Sequence, residues 1–168
     1  MKVCPAWEKH VANVRSANRI PKSANPWTSR RGIQLRGVPA TLRVRQSLDT
    51  VWAVAMAQAN HKIPAEKLRE NLWVDLSQDI VRMPLTPAKR SRGFPVITTS
   101  SIIYSFQEDV TLSGRSNFLL LGHPPSRTSR QAFSEAKLRD LAGEGFSVPY
   151  CALISFIMYS NPHGPWWA

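Results

Sequence analysis

The sequence predicts a mixed α/β fold, and three observations lead to this prediction. The chain has 168 residues of which 43% are hydrophobic, which is enough to bury a core and argues against wholesale disorder. Residues 47–59 have helical composition, whereas residues 96–104 are dense in β-branched side chains. Further helix-like segments are concentrated near the C-terminus. We therefore expect residues 46–168 to form a mixed α/β domain and residues 1–45 to form an irregular arm.

The predicted arm is strongly basic. Residues 1–45 contain ten Lys or Arg against a single acid, Glu8, whereas residues 46–168 contain twelve against ten. Nucleic acid is the commonest partner of such a segment, because neutralising phosphates releases counterions. A solvated or targeting extension is the alternative interpretation. The candidate phosphate contacts in the arm are Arg30, Arg31, Arg36, Arg43 and Arg45.

Targeting and membrane signals are sparse. Residues 1–12 contain Glu8 and His10 and lack the apolar region of a secretory signal. An organellar transit peptide remains an alternative, because residues 1–36 are Arg-rich and acid-poor. The longest apolar run, Phe146–Tyr159, is shorter than the ~20 residues that span a bilayer. Two cysteines cannot form a disulfide framework. We expect a protein without a membrane span, in the nucleus or an organelle.

Amino-acid composition and the positions of proline predict the first elements of the domain. Residues 47–59 carry apolar side chains on most faces, which predicts a buried helix. Pro64 opens a short helix with Leu68 and Leu72 four residues apart. Residues 73–81 alternate in part, which favours a strand. A Pro- and Arg-rich loop then follows, and its candidate phosphate contacts are Arg82, Lys89, Arg90 and Arg92.

Residues 96–104 predict the clearest strand of the chain. Ser113 is placed to cap a helix that Gly122 ends. Ser134 is placed to cap a second helix that ends near Gly143. Residues 147–160 predict a final apolar helix, followed by an irregular tail.

The chain contains no self-sufficient set of catalytic residues. Its four histidines lie far apart and lack a Ser, Cys or Asp partner at a recognisable spacing, and no Cys/His spacing indicates zinc. Glu108 and Asp109 are adjacent, so they lack the separate environments that give paired carboxylates acid and base roles. Phosphate loops of the Walker type and GxGxxG are absent. We assign no catalytic residue and no metal ligand.

Three segments in order carry a resemblance to a known family. They are PVITT at residues 95–99, a segment in which Leu112, Ser113, Leu120, Gly122 and Pro124 keep a characteristic spacing, and AGEGFSVP at residues 142–149. Together, over residues 94–160, they resemble the C-terminal end of DNA cytosine-5 methyltransferases. The resemblance implies DNA as partner, with residues 46–93 as a diverged recognition region. It also implies that the glycine turn approaches an S-adenosylmethionine pocket, so the expected cofactor-binding residues are Gly143, Gly145, Ser147, Val148 and Pro149.

The chain departs from the family in ways that bear on activity. Val110, Ser116 and Glu144 stand where the family has arginine, glutamate and asparagine. The catalytic Pro-Cys dipeptide is missing, since Cys4 and Pro5 occur in the reverse order. Methyl transfer to cytosine needs an attacking thiolate and a proton donor, and neither can be assigned.

We therefore expect a non-autonomous segment that contributes DNA recognition and part of a cofactor pocket and is inactive alone. S-adenosylmethionine would bind only if upstream sequence or a complementary catalytic chain completes the pocket. The alternatives are a small basic nucleic-acid-binding module and a structural subunit of a larger, organellar assembly. Trp7 and Trp27 lie in the expected arm, and we expect them to dock on the core or on a partner. Trp27, beside Arg30 and Arg31, is also a candidate for stacking on a base.

Overall fold

The computed structural model describes residues 5–59, 62–81, 95–122, 133–145 and 151–152. Within these ranges the chain is mixed α/β, as the sequence predicts, with helices and a small antiparallel sheet. The elements are α1 (Pro5–Ala17), α2 (Leu42–Ala59), α3 (Ala65–Glu70), β1 (Trp73–Asp75), β2 (Ile103–Ser105), β3 (Val110–Thr111), α4 (Gly114–Leu120) and α5 (Glu135–Glu144).

The described residues fall into two compact units. The first contains those up to Val96 together with Ser101–Thr111, so it holds α1 to α3 and the sheet. The second contains Ile97–Ser100 and the described residues from Leu112 onward, so it holds α4 and α5.

Helix α2 is the central helix of the first unit. Its segment lacks Pro and Gly, and the Thr41 hydroxyl accepts a hydrogen bond from the Val44 amide at 3.3 Å, which satisfies one free donor of the first turn. The predicted helix at 47–59 is thus confirmed and is longer at its start. Its buried side chains lie on most faces, as the sequence predicts for a helix inside the core; the apolar ones are Val44, Leu48, Val51, Trp52, Val54, Ala55 and Ala59.

The sheet has the order β1-β2-β3, with both pairs antiparallel. The central strand β2 is buried along its whole length, and Tyr104 lies opposite Val74 on one side and Thr111 on the other. Aromatic rings fill the space next to it. The Trp27 ring centroid lies 4.9 Å from that of Trp52 and 4.8 Å from that of Phe106, within the range of favourable aromatic pairs.

The expectation of an irregular arm over residues 1–45 is wrong in part, because residues 18–41 form turns and loops whereas helices lie on either side of them. Residues 5–17 form α1, and Trp7 and Trp27 belong to the core of the first unit, with Trp27 fully buried. The prolines are compatible with this structure because Pro5 occupies the first helical position, where a missing N–H is tolerated, and the others lie outside helices. Helix α2 also runs across the boundary expected at residue 45.

Two predicted strands are shorter than expected. The strand predicted at 96–104 begins at Ile103, after a turn at Thr99 and Ser100. The strand predicted at 73–81 ends at Asp75. There the Asp75 carboxylate accepts hydrogen bonds from the Ser77 amide at 2.9 Å and the Ile102 amide at 3.0 Å. An aspartate that binds the amide two residues on turns the chain, so the strand stops at this residue.

The second unit confirms two predicted helix caps. The Ser113 hydroxyl accepts from the Ser116 amide at 3.0 Å and begins α4. The Ser134 hydroxyl accepts from the Lys137 amide at 3.2 Å and begins α5. The carboxylate of Glu135, in the first turn of α5, accepts from the Gly114 amide at 2.6 Å and so joins the starts of the two helices. The final helix predicted at 147–160 lies outside the described residues except for 151–152, which are helical.

Candidate nucleic-acid interface

Asp109 holds the loop of residues 32–37 beside the turn between β2 and β3. It is buried at 7% exposure, and its carboxylate accepts hydrogen bonds from the amides of Gln34 and Leu35 and from the Tyr104 hydroxyl at 2.6 Å. The backbone adds to this anchor, because the Arg36 amide donates to the Asp109 carbonyl at 3.2 Å. Hydrogen bonds to a charged carboxylate are stronger than neutral ones, so the loop is held in one position.

The loop needs an unusual backbone to make this approach. Gly32 and Gly37 have φ values of 86° and 68°, which favour glycine. A Cβ at Gly37 would overlap the Thr111 hydroxyl, and that hydroxyl donates to the Gly37 carbonyl at 3.1 Å. Glycine at position 37 therefore allows the loop to lie directly against β3.

A second buried aspartate anchors the start of the same region. Asp49, in α2, is 1% exposed, and its carboxylate accepts from the amides of Trp27 at 2.9 Å and Thr28 at 2.8 Å. The Thr28 hydroxyl donates to it as well, at 2.7 Å. Residues 27–37 are thus fixed at both ends by carboxylates from other elements.

These anchors place one side of an open depression of about 480 Å³. Its other sides come from α3 and from the turn between β2 and β3. Its basic lining consists of Arg30, Arg31, Arg36 and Arg69, and its other exposed polar residues are Gln34, Gln107 and Glu108. Asp109 also borders the depression, but its carboxylate is engaged by the loop amides. Positive charge therefore predominates there.

The structure restrains three of the four guanidinium groups. Arg69 donates from Nε to the Phe106 carbonyl at 3.2 Å and from Nη2 to the Gln107 carbonyl at 3.0 Å. Arg36 donates to the Glu108 carbonyl. Arg30 lies 3.5 Å from the Glu66 carboxylate. Since a guanidinium carries five N–H donors, each of these arginines keeps donors for a ligand.

Trp27 also supports two of these arginines from beneath. The guanidinium carbons of Arg30 and Arg69 lie 5.9 and 5.5 Å from its ring centroid, within the reach of cation–π attraction. Because Trp27 is fully buried, the prediction that it stacks on a base is wrong. Arg31 is exposed, and no side-chain partner of it lies among the described residues.

The structure sorts the sequence-predicted basic residues into three groups. Arg30, Arg31 and Arg36 come together at the depression. Arg43 and Arg45 lie on α2 and do not line it: the Arg43 guanidinium carbon lies 4.7 Å above the Trp7 ring, and Arg45 is exposed. The four basic residues predicted in the following loop lie outside the described residues; they are Arg82, Lys89, Arg90 and Arg92.

Sequence reasoning missed Arg69. It lies three residues after Glu66 on a short helix, a spacing typical of a solvated helix surface. Its role depends on the contact of its guanidinium with the turn after β2, which no local pattern indicates.

The expected cofactor residues lie in the second unit or outside the described residues. Gly143 lies inside α5, whereas the resemblance implied a turn. A Cβ there would overlap the backbone of Thr98 and Thr99, so the close packing of α5 on these residues explains the glycine. Gly145 closes α5 by donating its amide to the Ala142 carbonyl at 3.1 Å. The remaining three, Ser147, Val148 and Pro149, lie outside the described residues.

A histidine–aspartate pair lies elsewhere on the first unit. His10 Nδ1 is 3.0 Å from Asp79 Oδ2, and both side chains are about one-third exposed. Partial burial raises the pKa of Asp79. Hydrogen bonds from the Val81 amide and from His10, together with the charges of His10 and Arg43, lower it by more, so the pKa lies below its usual value. The pair joins α1 to the turn after β1.

Other kinds of site find no support in the described ranges. No three His, Cys, Asp or Glu side chains there are placed to hold a metal ion. Likewise, none of the helices in the described part of the chain is long and apolar enough to cross a membrane.

Comparison of the chain with protein-family models, with curated proteins and with solved structures found no match.

Proposed function

We propose that the chain binds nucleic acid through the phosphate backbone, with Arg30, Arg31, Arg36 and Arg69 as the phosphate contacts. One observation carries the proposal: arginines from two separate segments gather around a single depression and are restrained by backbone carbonyls and a buried indole. Restrained guanidinium groups lose less side-chain entropy on binding, and their planar forks match phosphate oxygens in pairs.

The charge of the chain supports the same partner. The formal net charge is +11 at pH 7, which attracts polyanions over a long range. The loop amides of Gln34 and Leu35 are already occupied by the Asp109 carboxylate. A phosphate therefore has to bind through the guanidinium groups, and the binding depends strongly on salt.

The salt dependence of binding tests the proposal. Four phosphate contacts would give a slope of log affinity against log salt of about −3.6 on duplex DNA and about −2.8 on a single strand. Fluorescence anisotropy with a labelled oligonucleotide between about 50 and 200 mM salt measures this slope. Duplex and single-stranded probes of one sequence would be titrated in parallel.

A double variant with a matched control assigns the contacts to the depression. Arg31→Ala with Arg36→Ala removes two exposed guanidinium groups from it, and we expect the magnitude of the slope to fall by about 1.4 to 1.8. Arg45→Ala removes an exposed arginine that does not line it. Equal losses per charge in both variants would show a diffuse charge effect and would overturn the assignment.

DNA recognition is the part of the predicted methyltransferase-like function that these arginines support. Binding of S-adenosylmethionine and a complementary catalytic chain stay predictions from the resemblance. Both depend on residues 142–149, of which 146–149 lie outside the described residues.

A further inference from the structure

We infer that the depression takes a single unpaired nucleotide of a single-stranded nucleic acid, and that Glu108 selects guanine there. The inference rests on the proposed function and deepens it by naming the form of nucleic acid and the base. Gln107 and Glu108 border the depression that the arginines surround, so its lining is of mixed charge and polarity.

The size and the shape of the depression favour one nucleotide. The depression is open to solvent, and its volume of about 480 Å³ is comparable with that of small-molecule sites. A duplex presents a convex ridge of phosphates, and its bases are already paired along their Watson–Crick edges. Single strands can turn a base outward into a pocket, where side-chain groups reach that edge.

The carboxylate of Glu108 is not expected in a surface that binds phosphate alone, because a carboxylate repels phosphate. Glu108 is exposed, and among the described contacts its backbone carbonyl, not its carboxylate, binds Arg36. A carboxylate accepts hydrogen bonds only. Guanine has two adjacent N–H donors on its Watson–Crick edge, at N1 and N2, whereas each other base has one donor group there. Guanine therefore fits a carboxylate in a bidentate way.

The arginines complete the site. Backbone carbonyls of the turn between β2 and β3 fix two of the arginines. Arg69 is held by Phe106 and Gln107, and Arg36 is held by Glu108. Both guanidinium groups therefore lie next to Glu108. A nucleotide whose base reaches Glu108 can place its phosphate on these arginines, and planar guanidinium groups also stack on bases.

Two carboxylate variants form a matched pair for the test. Glu108→Gln and Glu66→Gln each remove one exposed negative charge near the arginines, since Glu66 pairs with Arg30 at 3.5 Å. We expect Glu66→Gln to bind every probe, and Glu108→Gln to bind the probes without guanine, about two to five times more tightly, as an exposed charge of this kind permits. The guanine probe should gain nothing in Glu108→Gln, because the carboxylate that selects guanine is lost. Only Glu108→Gln should change the preference among bases.

The probes are thymidylate undecamers with a central guanine, adenine, cytosine or thymine, the same set as RNA with uridylate flanks, and a duplex of the guanine undecamer. We expect the guanine strand to bind roughly five- to a hundredfold more tightly than the others, in DNA, RNA or both, and at least as tightly as the duplex. Glu108→Gln should abolish this preference and Glu66→Gln should keep it.

Three results would overturn the inference. Tighter binding of the duplex than of the strand would leave phosphate binding intact and remove the single-nucleotide site. A guanine preference that survives in Glu108→Gln, or equal affinity for all bases, would remove the assignment of Glu108. Absence of binding to every probe would overturn the proposed function together with the inference.

Discussion

The indole Nε1 of Trp27 donates a hydrogen bond of 2.9 Å to the Tyr104 hydroxyl, which in turn donates one of 2.6 Å to the Asp109 carboxylate. Trp27 and Tyr104 are fully buried. The same carboxylate accepts from the amides of Gln34 and Leu35. A continuous series of hydrogen bonds therefore links the aromatic core to the loop of residues 32–37, which carries Arg36.

The first prediction concerns Tyr104, the middle member of this series. Tyr104→Phe leaves the Trp27 N–H without its acceptor and removes one donor from the buried Asp109. We expect the free energy of unfolding to fall by about 1 to 3 kcal/mol, since buried polar groups that lose a partner carry their desolvation penalty. Urea unfolding at neutral pH measures the change.

The same residue gives a pH dependence with a defined sign. Burial, followed by the hydrogen bond to Asp109, raises the pKa of Tyr104 above its usual value of 10.0. Because the folded pKa is the higher one, the neutral form stabilises the fold fully below about pH 10, and this stability is lost as the pH rises beyond it. Tyr104→Phe should therefore lose less stability between neutral pH and about pH 11 than the parent chain.

Phe106→Leu serves as the control for both measurements. Phe106 is a neighbouring fully buried ring with no titratable group. The variant should be less stable at every pH while keeping the alkaline decline of the parent chain. An identical decline in Tyr104→Phe and Phe106→Leu would contradict the role given to the Tyr104 hydroxyl.

The second prediction concerns Asp109 and the position of the loop. Asp109→Asn keeps the shape of the side chain and tolerates the local φ of 51°, but it replaces charge-assisted hydrogen bonds to the loop amides by neutral ones. We expect a loss of roughly 1 to 3 kcal/mol in stability, together with faster amide hydrogen exchange at Gln34 and Leu35.

Nucleic-acid affinity should respond to the same change. Because the position of Arg36 depends on a fixed loop, Asp109→Asn should bind more weakly even though it removes a negative charge. Glu108→Gln is the matched neighbour, an exposed acid whose loss should leave stability and loop exchange unchanged within about 0.5 kcal/mol. Slow exchange retained at Gln34 in Asp109→Asn would show that other contacts hold the loop.

Local patterns were enough to predict most helices of the described chain. The caps at Ser113 and Ser134 and the apolar residues of α2 act within one turn or one helix, so the sequence around them determines the outcome. The strands were harder because Asp75 ends β1 through contacts with Ser77 and with Ile102, which is distant in sequence.

Long-range contacts explain why the candidate site was only partly predicted. The excess of basic residues in the expected arm predicted Arg30, Arg31 and Arg36. The burial of Trp27 was not predicted, because an irregular arm has no core and Trp27 binds Tyr104, which lies on a distant strand. The partnership of Arg69 with the turn after β2 spans more than 35 residues, so composition could not indicate it.

The third prediction concerns Gly143 in α5. In an ordinary helix interior, alanine is about 1 kcal/mol more favourable than glycine. A Cβ at Gly143, however, would overlap the backbone of Thr98 and Thr99, and backbone cannot move aside as a flexible side chain can. We therefore expect Gly143→Ala to destabilise the second unit by about 1 to 3 kcal/mol or more, seen as a lower midpoint in thermal unfolding.

Gly145→Ala supplies the control for this variant. Gly145 has φ −77°, which any residue adopts, and a Cβ there would lie 3.3 Å from the nearest carbonyl oxygens. The change should be small, because only a shift of a few tenths of an ångström is needed. A stabilised Gly143→Ala would show that α5 does not pack closely on residues 98–99, and the glycine at 143 would then be open to another role, such as the approach to a cofactor that the resemblance implied.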